Sequence, residues 1–269
     1  MNQRILSVPL LAVLLLFATE SRSQDSREID KTVALKTNGE LIIDTYKGSI
    51  TITTWDKAQV GIHAKIEADE EFDSKYAAEK VKDTEIRVDE SDGRVKIKTD
   101  YDNVREHSRG FWSLFDDVSG SLPFVHYTIT MPRTANLRIK DYKSQTSVTE
   151  LSAAIDINTY KGEVAISKIA GSLKLETYKG EVNVSFAKLS EKCRFETYKG
   201  KLKIVLPKNT GFDLDADLGS RADFNSDFDV ELRTHGKHRR NADFRGPVNG
   251  GGTSIIVKSE KGTIDLRQS

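Results

Sequence analysis

Thr159-Tyr160-Lys161-Gly162, Thr177-Tyr178-Lys179-Gly180 and Thr197-Tyr198-Lys199-Gly200 recur at intervals of 18 and then 20 residues. A fourth full copy stands at Thr45-Tyr46-Lys47-Gly48, and a degenerate one, Asp141-Tyr142-Lys143-Ser144, precedes the first of the three by 18 residues. Each copy is flanked by strict alternation of apolar side chains. Ile155 and Ile157, Leu173 and Leu175, and Cys193 and Phe195 come before the tetrapeptide, and Val164 and Ile166, Val182 and Val184, and Leu202 and Ile204 follow it. Alternation with period two marks a strand with one buried face, and a fixed period near 20 residues marks stacked structural repeats. The reading is therefore an all-β, single-chain β-solenoid of stacked coils of 18–20 residues, each a strand, a tight corner and a second strand.

One such coil cannot bury its own apolar face, so the repeats must build a core together by stacking at about 4.8 Å. Glycine is expected at each corner because the chain reverses there, with positive φ a natural consequence. Ser144 breaks that rule and predicts an altered corner. The early copy repeats the pattern with Leu41, Ile43, Ile50 and Ile52, and the C-terminal stretch repeats it with Ile255, Val257, Gly262, Ile264 and Leu266.

These strand-turn-Gly-strand coils resemble the bacterial putative-adhesin domains, a β-solenoid family classed as a domain of unknown function. So do the segment 125–133 ending in Met131-Pro132-Arg133 and the closing Gly250-Gly251-Gly252 run before residues 255–266. The resemblance covers most of the chain after its first residues. It implies a β-solenoid and an interaction role, and it carries over no catalytic residue. The Tyr-Lys-Gly corner departs from the small polar residue and Gly more usual in that family.

Composition narrows the function classes. The 269 residues hold 41 basic and 41 acidic side chains, which gives no bulk field to recruit nucleic acid or an anionic membrane. A lone cysteine excludes an intrachain disulfide and a cysteine-based zinc knuckle. Residues 1–23 carry Arg4, an apolar run over 5–18 broken by Pro9, and small residues at Ser21 and Ser23, which together predict a signal peptide cleaved before Gln24. That run is too short to span a bilayer, and no later segment is apolar enough. The expectation is an exported protein, periplasmic or extracellular, with no transmembrane segment in the mature chain and a single domain over 24–269.

An insertion over about 70–123 separates the early coil from the others. The spacing predicts one short helix over 74–82 and a β-hairpin with Ile86 to Val88 and Val95 to Ile97 around Asp92-Gly93. Phe111, Trp112, Leu114 and Phe115 follow without a sustained period. They read as a cap on an open solenoid end, or else as a patch for docking a partner.

Other candidate chemistry is thin. Asp213, Asp215 and Asp217 alternate with apolar residues, and the positions of Leu218 and Phe224 fail the glycine and glutamate of a calcium loop, so a strand with an acidic outer face is the better reading. His235 and His238 lie in the basic run 233–240, where neighbouring cations oppose a metal. Residues 246–253 lack the lysine of a phosphate loop and read as a turn. Cys193 reads as core, and no Ser-His-Asp motif context is visible. No cofactor, metal or catalytic residue is assigned.

The tetrapeptide itself gives the sharper candidate. Stacking places Tyr142, Tyr160, Tyr178 and Tyr198 in one column and Lys143, Lys161, Lys179 and Lys199 in another. As structure, the rings stack and Glu163, Glu181, Glu176 and Glu196 neutralise the lysines. As a ligand edge, a line of aromatic faces and ammonium groups fits a repeating anionic polymer. The functional expectation is a noncatalytic, adhesin-like module that binds an envelope polymer or an unknown protein. The alternatives are a polysaccharide-active enzyme on a β-helix scaffold and an envelope-stress accessory protein docking through residues 111–115.

Overall fold

The computed structural model describes residues 22–23, 26–69, 77–107, 122–230 and 242–269. The first part of the chain forms β1 (Arg22–Ser23), β2 (Ser26–Ala34), β3 (Glu40–Asp44), β4 (Lys47–Trp55) and β5 (Gln59–Glu67). After it come α1 (Ala77–Asp83), β6 (Glu85–Ser91), β7 (Arg94–Asp100) and α2 (Asp102–His107). The coils continue with β8 (Phe124–Pro132), β9 (Asn136–Asp141), β10 (Lys143–Thr149), β11 (Ile155–Lys161) and β12 (Val164–Ile169). Four long strands close the set with one short one: β13 (Leu173–Phe186), β14 (Cys193–Leu206), β15 (Phe212–Ser226), β16 (Ala242–Val248) and β17 (Thr253–Gln268).

The repeats stack in parallel and in identical register, as a solenoid requires. Before the corner, β3 pairs with β9, β9 with β11, β11 with β13, β13 with β14 and β14 with β17. After the corner, β4 pairs with β10, β10 with β12, β12 with β13, and β13 and β14 continue through as single bent strands. The inward alternation predicted from the sequence fills the space between the two walls: Leu41, Ile43, Ile50, Ile52, Ile139, Ile157, Leu175, Val184, Phe195, Ile204, Val257 and Ile264 are buried. At roughly 1.5–3 kcal/mol per buried large aliphatic side chain, these columns contribute a large part of the stabilisation of the fold.

The early copy is no outlier. Gly48 of β4 stands beside Ser144 of β10, so residues 45–48 stack directly on 141–144. Beneath them, β7 and β8 make one more coil, β7 beside β3 and β8 beside β4, and α2 leads off from the corner end of β7. The predicted hairpin is β6 and β7, antiparallel about Asp92-Gly93. The predicted helix is α1, its N-terminal part lying outside the described residues, and α2 is a second helix of six residues that the sequence reading lacked. The strands β5 and β2 extend the post-corner wall in antiparallel fashion.

The C-terminal strand does not end the stack. β17 lies between β14 and β15, parallel to both, and β16 folds back antiparallel on the outer side of β15. Burial explains the order. Both halves of β17 carry inward apolar residues, Ile255 and Val257 before the corner and Ile264 and Leu266 after it, and all four are buried. The second half of β15 offers only half-buried Ala222 and Phe224 between exposed Arg221, Asp223 and Asn225, a composition suited to an edge. Residues 246–248, read as part of a turn, belong to β16. The turn proper is Asn249 to Gly252, whose four residues all have positive φ.

Candidate functional site

The corner is built by three columns. Innermost are Thr45, Thr159, Thr177, Thr197 and Ser259, all buried, with Asp141 in the same position of its coil. Thr45 Oγ1 lies 2.8 Å from Thr99 Oγ1, which lies 2.7 Å from the buried Tyr127 hydroxyl, so the polar column is tied into the core at one end. Desolvation raises the Tyr127 phenol far above its ordinary range.

The tyrosines form the second column. Tyr46 belongs to it, a member the sequence reading did not include. Centroids are 4.8 Å apart for Tyr46 and Tyr142, 4.9 Å for Tyr142 and Tyr160, 4.8 Å for Tyr160 and Tyr178, and 4.9 Å for Tyr178 and Tyr198. Adjacent ring planes deviate by 4–12°. Each pair contributes about 0.5–1.5 kcal/mol. The ring faces cover one another, so the column offers ligands its edges and phenol hydroxyls. Tyr101 closes one end edge-on against Tyr46, its hydroxyl donating to the Pro123 carbonyl at 3.0 Å, and the Lys261 ammonium closes the other, 5.0 Å from the Tyr198 centroid.

The lysines form the third column, and their partners differ from those expected. Glu176 pairs with Lys174 at 2.9 Å and Glu196 with Arg194, both on the pre-corner wall. Lys47 is buried against Asp69 at 2.7 Å and sits 4.1 Å from the Phe124 ring centroid. Lys143, Lys161, Lys179 and Lys199 remain exposed, and among the described residues none has an ion-pair partner. Lys161 Nζ lies 5.4 Å from the centroid of Tyr160.

Beside the lysines runs an open groove of about 580 Å³. Its floor is the corner backbone at Gly48, Ser144, Gly162 and Gly180. Lys143, Lys161 and Lys179 line one side, Glu163 and Glu181 the other, and Phe124 and His126 close one end. Glycines keep the floor low. They also permit the stack, because a Cβ on Gly180 would overlap the Gly162 carbonyl oxygen.

Asp141 and Ser144 replace the usual Thr and Gly together. The Ser144 N–H donates to Asp141 Oδ2 at 2.7 Å, which fixes the altered corner. Burial pushes the Asp141 carboxyl up to about 6 against the opposing hydrogen bonds from Thr159 and Ser144.

The structure also assembles a polar chain that no linear motif announces. Ser49 Oγ lies 2.9 Å from His126 Nδ1, and His126 Nε2 lies 3.3 Å from Glu67 Oε2. A hydrolase would add two amide donors for an oxyanion. Here β4 and β8 sit within parallel and antiparallel ladders that engage their N–H groups on both sides, so the chain reads as a network on the outer face of the sheet.

The remaining candidates fall as follows. Cys193 is fully buried, and desolvation raises its thiol to about 11, which leaves it inert as a nucleophile. Asp213, Asp215 and Asp217 lie on the outer face of β15, and Arg245 pairs with Asp215 at 2.8 Å. Among the described residues no group of three or more His, Cys, Asp or Glu side chains converges on a metal site, and no helix is long and apolar enough to cross a membrane. Phe111, Trp112, Leu114, Phe115, His235 and His238 lie outside the described residues, as does the predicted signal segment up to residue 21.

Comparison with known proteins agrees with this architecture. The sequence model described as Toastrack DUF4097 matches residues 16–267, nearly the whole chain. The chain belongs to the Toastrack DUF4097 family. Toastrack is a domain of unknown function with a β-solenoid-like fold, as the resemblance implied. No curated protein matches. Among solved structures, a "putative cell adhesion protein" from Clostridium sporogenes is 14% identical over 89% of this chain and 99% of its own, with a TM-score of 0.44. A "putative adhesin" from Bacteroides fragilis is 14% identical over 90% and 97%, with a TM-score of 0.38.

Proposed function

We propose that this Toastrack chain is an exported, noncatalytic, adhesin-like module that binds an anionic envelope polymer along its lysine column. The observation that carries the reading is the row formed by Lys143, Lys161, Lys179 and Lys199, which repeats with the coils and, among the described residues, lacks carboxylate partners. Like charges set side by side in a sheet oppose folding, and the corner lysines neighbour one another in register, whereas Lys174 is paired with Glu176 and Lys258 stands between Glu196 and Asp217. An unpaired row at the corner is accounted for by a polyanion that supplies the missing charge. The tyrosine column beside it gives the corner rigidity and a line of phenol hydroxyls.

Replacing Lys161, Lys179 and Lys199 together by glutamine is expected to weaken binding to an anionic glycan about tenfold at low salt, each exposed pair contributing up to about 1 kcal/mol. The wild-type interaction should weaken as salt rises, since exposed charges are screened within about 8 Å at physiological ionic strength. Binding unmoved by both the triple change and salt would remove the lysine column as the site.

Export rests on the sequence of residues 1–23. N-terminal sequencing of the protein recovered from envelope or medium is expected to begin near Gln24. Recovery of intact chain starting at Met1 in the membrane fraction would overturn this reading.

A further inference from the structure

The groove beside the lysines has a second wall of opposite sign. Glu163 and Glu181 stand two positions beyond Lys161 and Lys179 on their strands, across the glycine floor. Val164 pairs with Val182, so the two carboxylates are neighbours across adjacent coils, as Lys161 and Lys179 are. Glu181 accepts a hydrogen bond from Asn183 at 3.2 Å, and among the described residues neither carboxylate has an ion-pair partner. The sequence thus places two like-charged pairs side by side and leaves both unneutralised, although period-two spacing sets the columns only about 7 Å apart.

On the pre-corner wall several charges of the same scaffold are joined in ion pairs. There Lys174 meets Glu176 at 2.9 Å, Arg138 meets Glu40 at 3.1 Å, and Arg94 meets Glu40 at 2.8 Å. Conflicts with local stability concentrate where a ligand resolves them. The acidic wall is also bounded: Gln145 precedes Glu163 in its column, and Lys201 follows Glu181 in register, engaged with Asp265 at 4.0 Å. Two coils therefore define a finite site within the longer lysine row.

We propose that this groove selects units carrying an anion and an ammonium group together, the anion between Lys161 and Lys179 and the ammonium between Glu163 and Glu181. The inference rests on the lysine column being an anion site and adds the class of unit that the site prefers. A phosphate joined to an amine through a short linker has this chemistry, whether as a substituent of a soluble polymer or as a lipid headgroup.

The test titrates the mature chain with phosphoethanolamine and with glycerol phosphate, which shares the phosphate and lacks the amine, reading amide chemical shifts of the corner residues. Phosphoethanolamine is expected to bind about fivefold tighter, the size of one or two exposed ion pairs. Glu163→Gln with Glu181→Gln should abolish that preference and leave glycerol phosphate bound equally or more tightly. Lys161→Gln with Lys179→Gln should weaken both ligands. A wild-type chain without preference, or a preference that survives the glutamate changes, overturns the zwitterion proposal. Glycerol phosphate binding that ignores the lysine changes overturns the underlying anion reading instead. Vesicles containing phosphatidylethanolamine, compared with phosphatidylglycerol vesicles, separate the sources: co-sedimentation with the former assigns a headgroup, and binding confined to soluble phosphoethanolamine assigns a polymer substituent. Binding to neither overturns the proposal.

Discussion

Gly180→Val is expected to lower the stability of the folded chain by about 3 kcal/mol, at the upper end of what overpacking a close contact costs. The cause is the stack itself. The Gly180 Cα faces the carbonyl oxygen of Gly162 one coil below, and any Cβ there overlaps that oxygen. Positive φ, the reason the sequence suggests for corner glycines, holds at Gly48, Gly200 and Gly262 but is not what constrains Gly180. Even Gly180→Ala should therefore be costly, since it is the first carbon that clashes with backbone on a neighbour fixed from both sides. Gly93 provides the contrast. Its φ is +71°, yet a Cβ there meets nothing within 4 Å, so Gly93→Ala should cost only about 1 kcal/mol of backbone strain. Chemical denaturation of the three variants separates the causes. A Gly93→Ala penalty equal to or larger than that of Gly180→Ala would mean that φ, and not coil spacing, dictates glycine at the corner.

The same contrast explains how much of the molecule was legible beforehand. The coils could be read because period-two burial and a recurring corner are local properties, written in full within each 18–20-residue unit. The order of the coils could not, because it depends on competition between distant strands. β17 enters between β14 and β15 since its two halves tolerate burial by neighbours on both sides, while Arg221 and Asp223 make β15 the better outer strand. Tyr46 escaped the tyrosine column for a related reason. Its tetrapeptide is complete, but the insertion between it and Asp141 hides the fact that the two coils touch. Glu176 and Glu196 lay close enough in sequence to serve the lysines, yet their side chains leave the pre-corner wall and meet Lys174 and Arg194 two residues away on the same face. The groove and the Ser49–His126–Glu67 chain draw on strands as far apart as β4, β5, β8 and β13, and no window of sequence brings those together.

Asp141 gives the second large effect, and here the sign depends on pH. Its carboxyl is raised to about 6 in the folded chain, first by burial, against about 3.9 in the unfolded one. A raised carboxyl pKa means that the folded state prefers the neutral acid. The contribution of Asp141 to stability is therefore greatest below about pH 4, falls by about 3 kcal/mol as pH rises from about 4 to 6 for a shift of roughly two pH units, and stays low above that. Asp141→Asn removes the titrating charge and keeps an oxygen for the Ser144 N–H. Its amide protons also reach the buried Ser144 and Thr159 hydroxyls that flank the carboxyl. The variant should accordingly match wild type near pH 4 and exceed it at pH 7.5 by 1 to about 3 kcal/mol. Other carboxylates titrate in the same range, so the quantity to measure is the difference between the two denaturation midpoints at each pH. A difference that stays constant from pH 4 to 7.5 would show that Asp141 is as acidic when folded as when unfolded. The Asp-Ser corner would then be a neutral exchange for Thr-Gly, without the electrostatic cost derived from its burial.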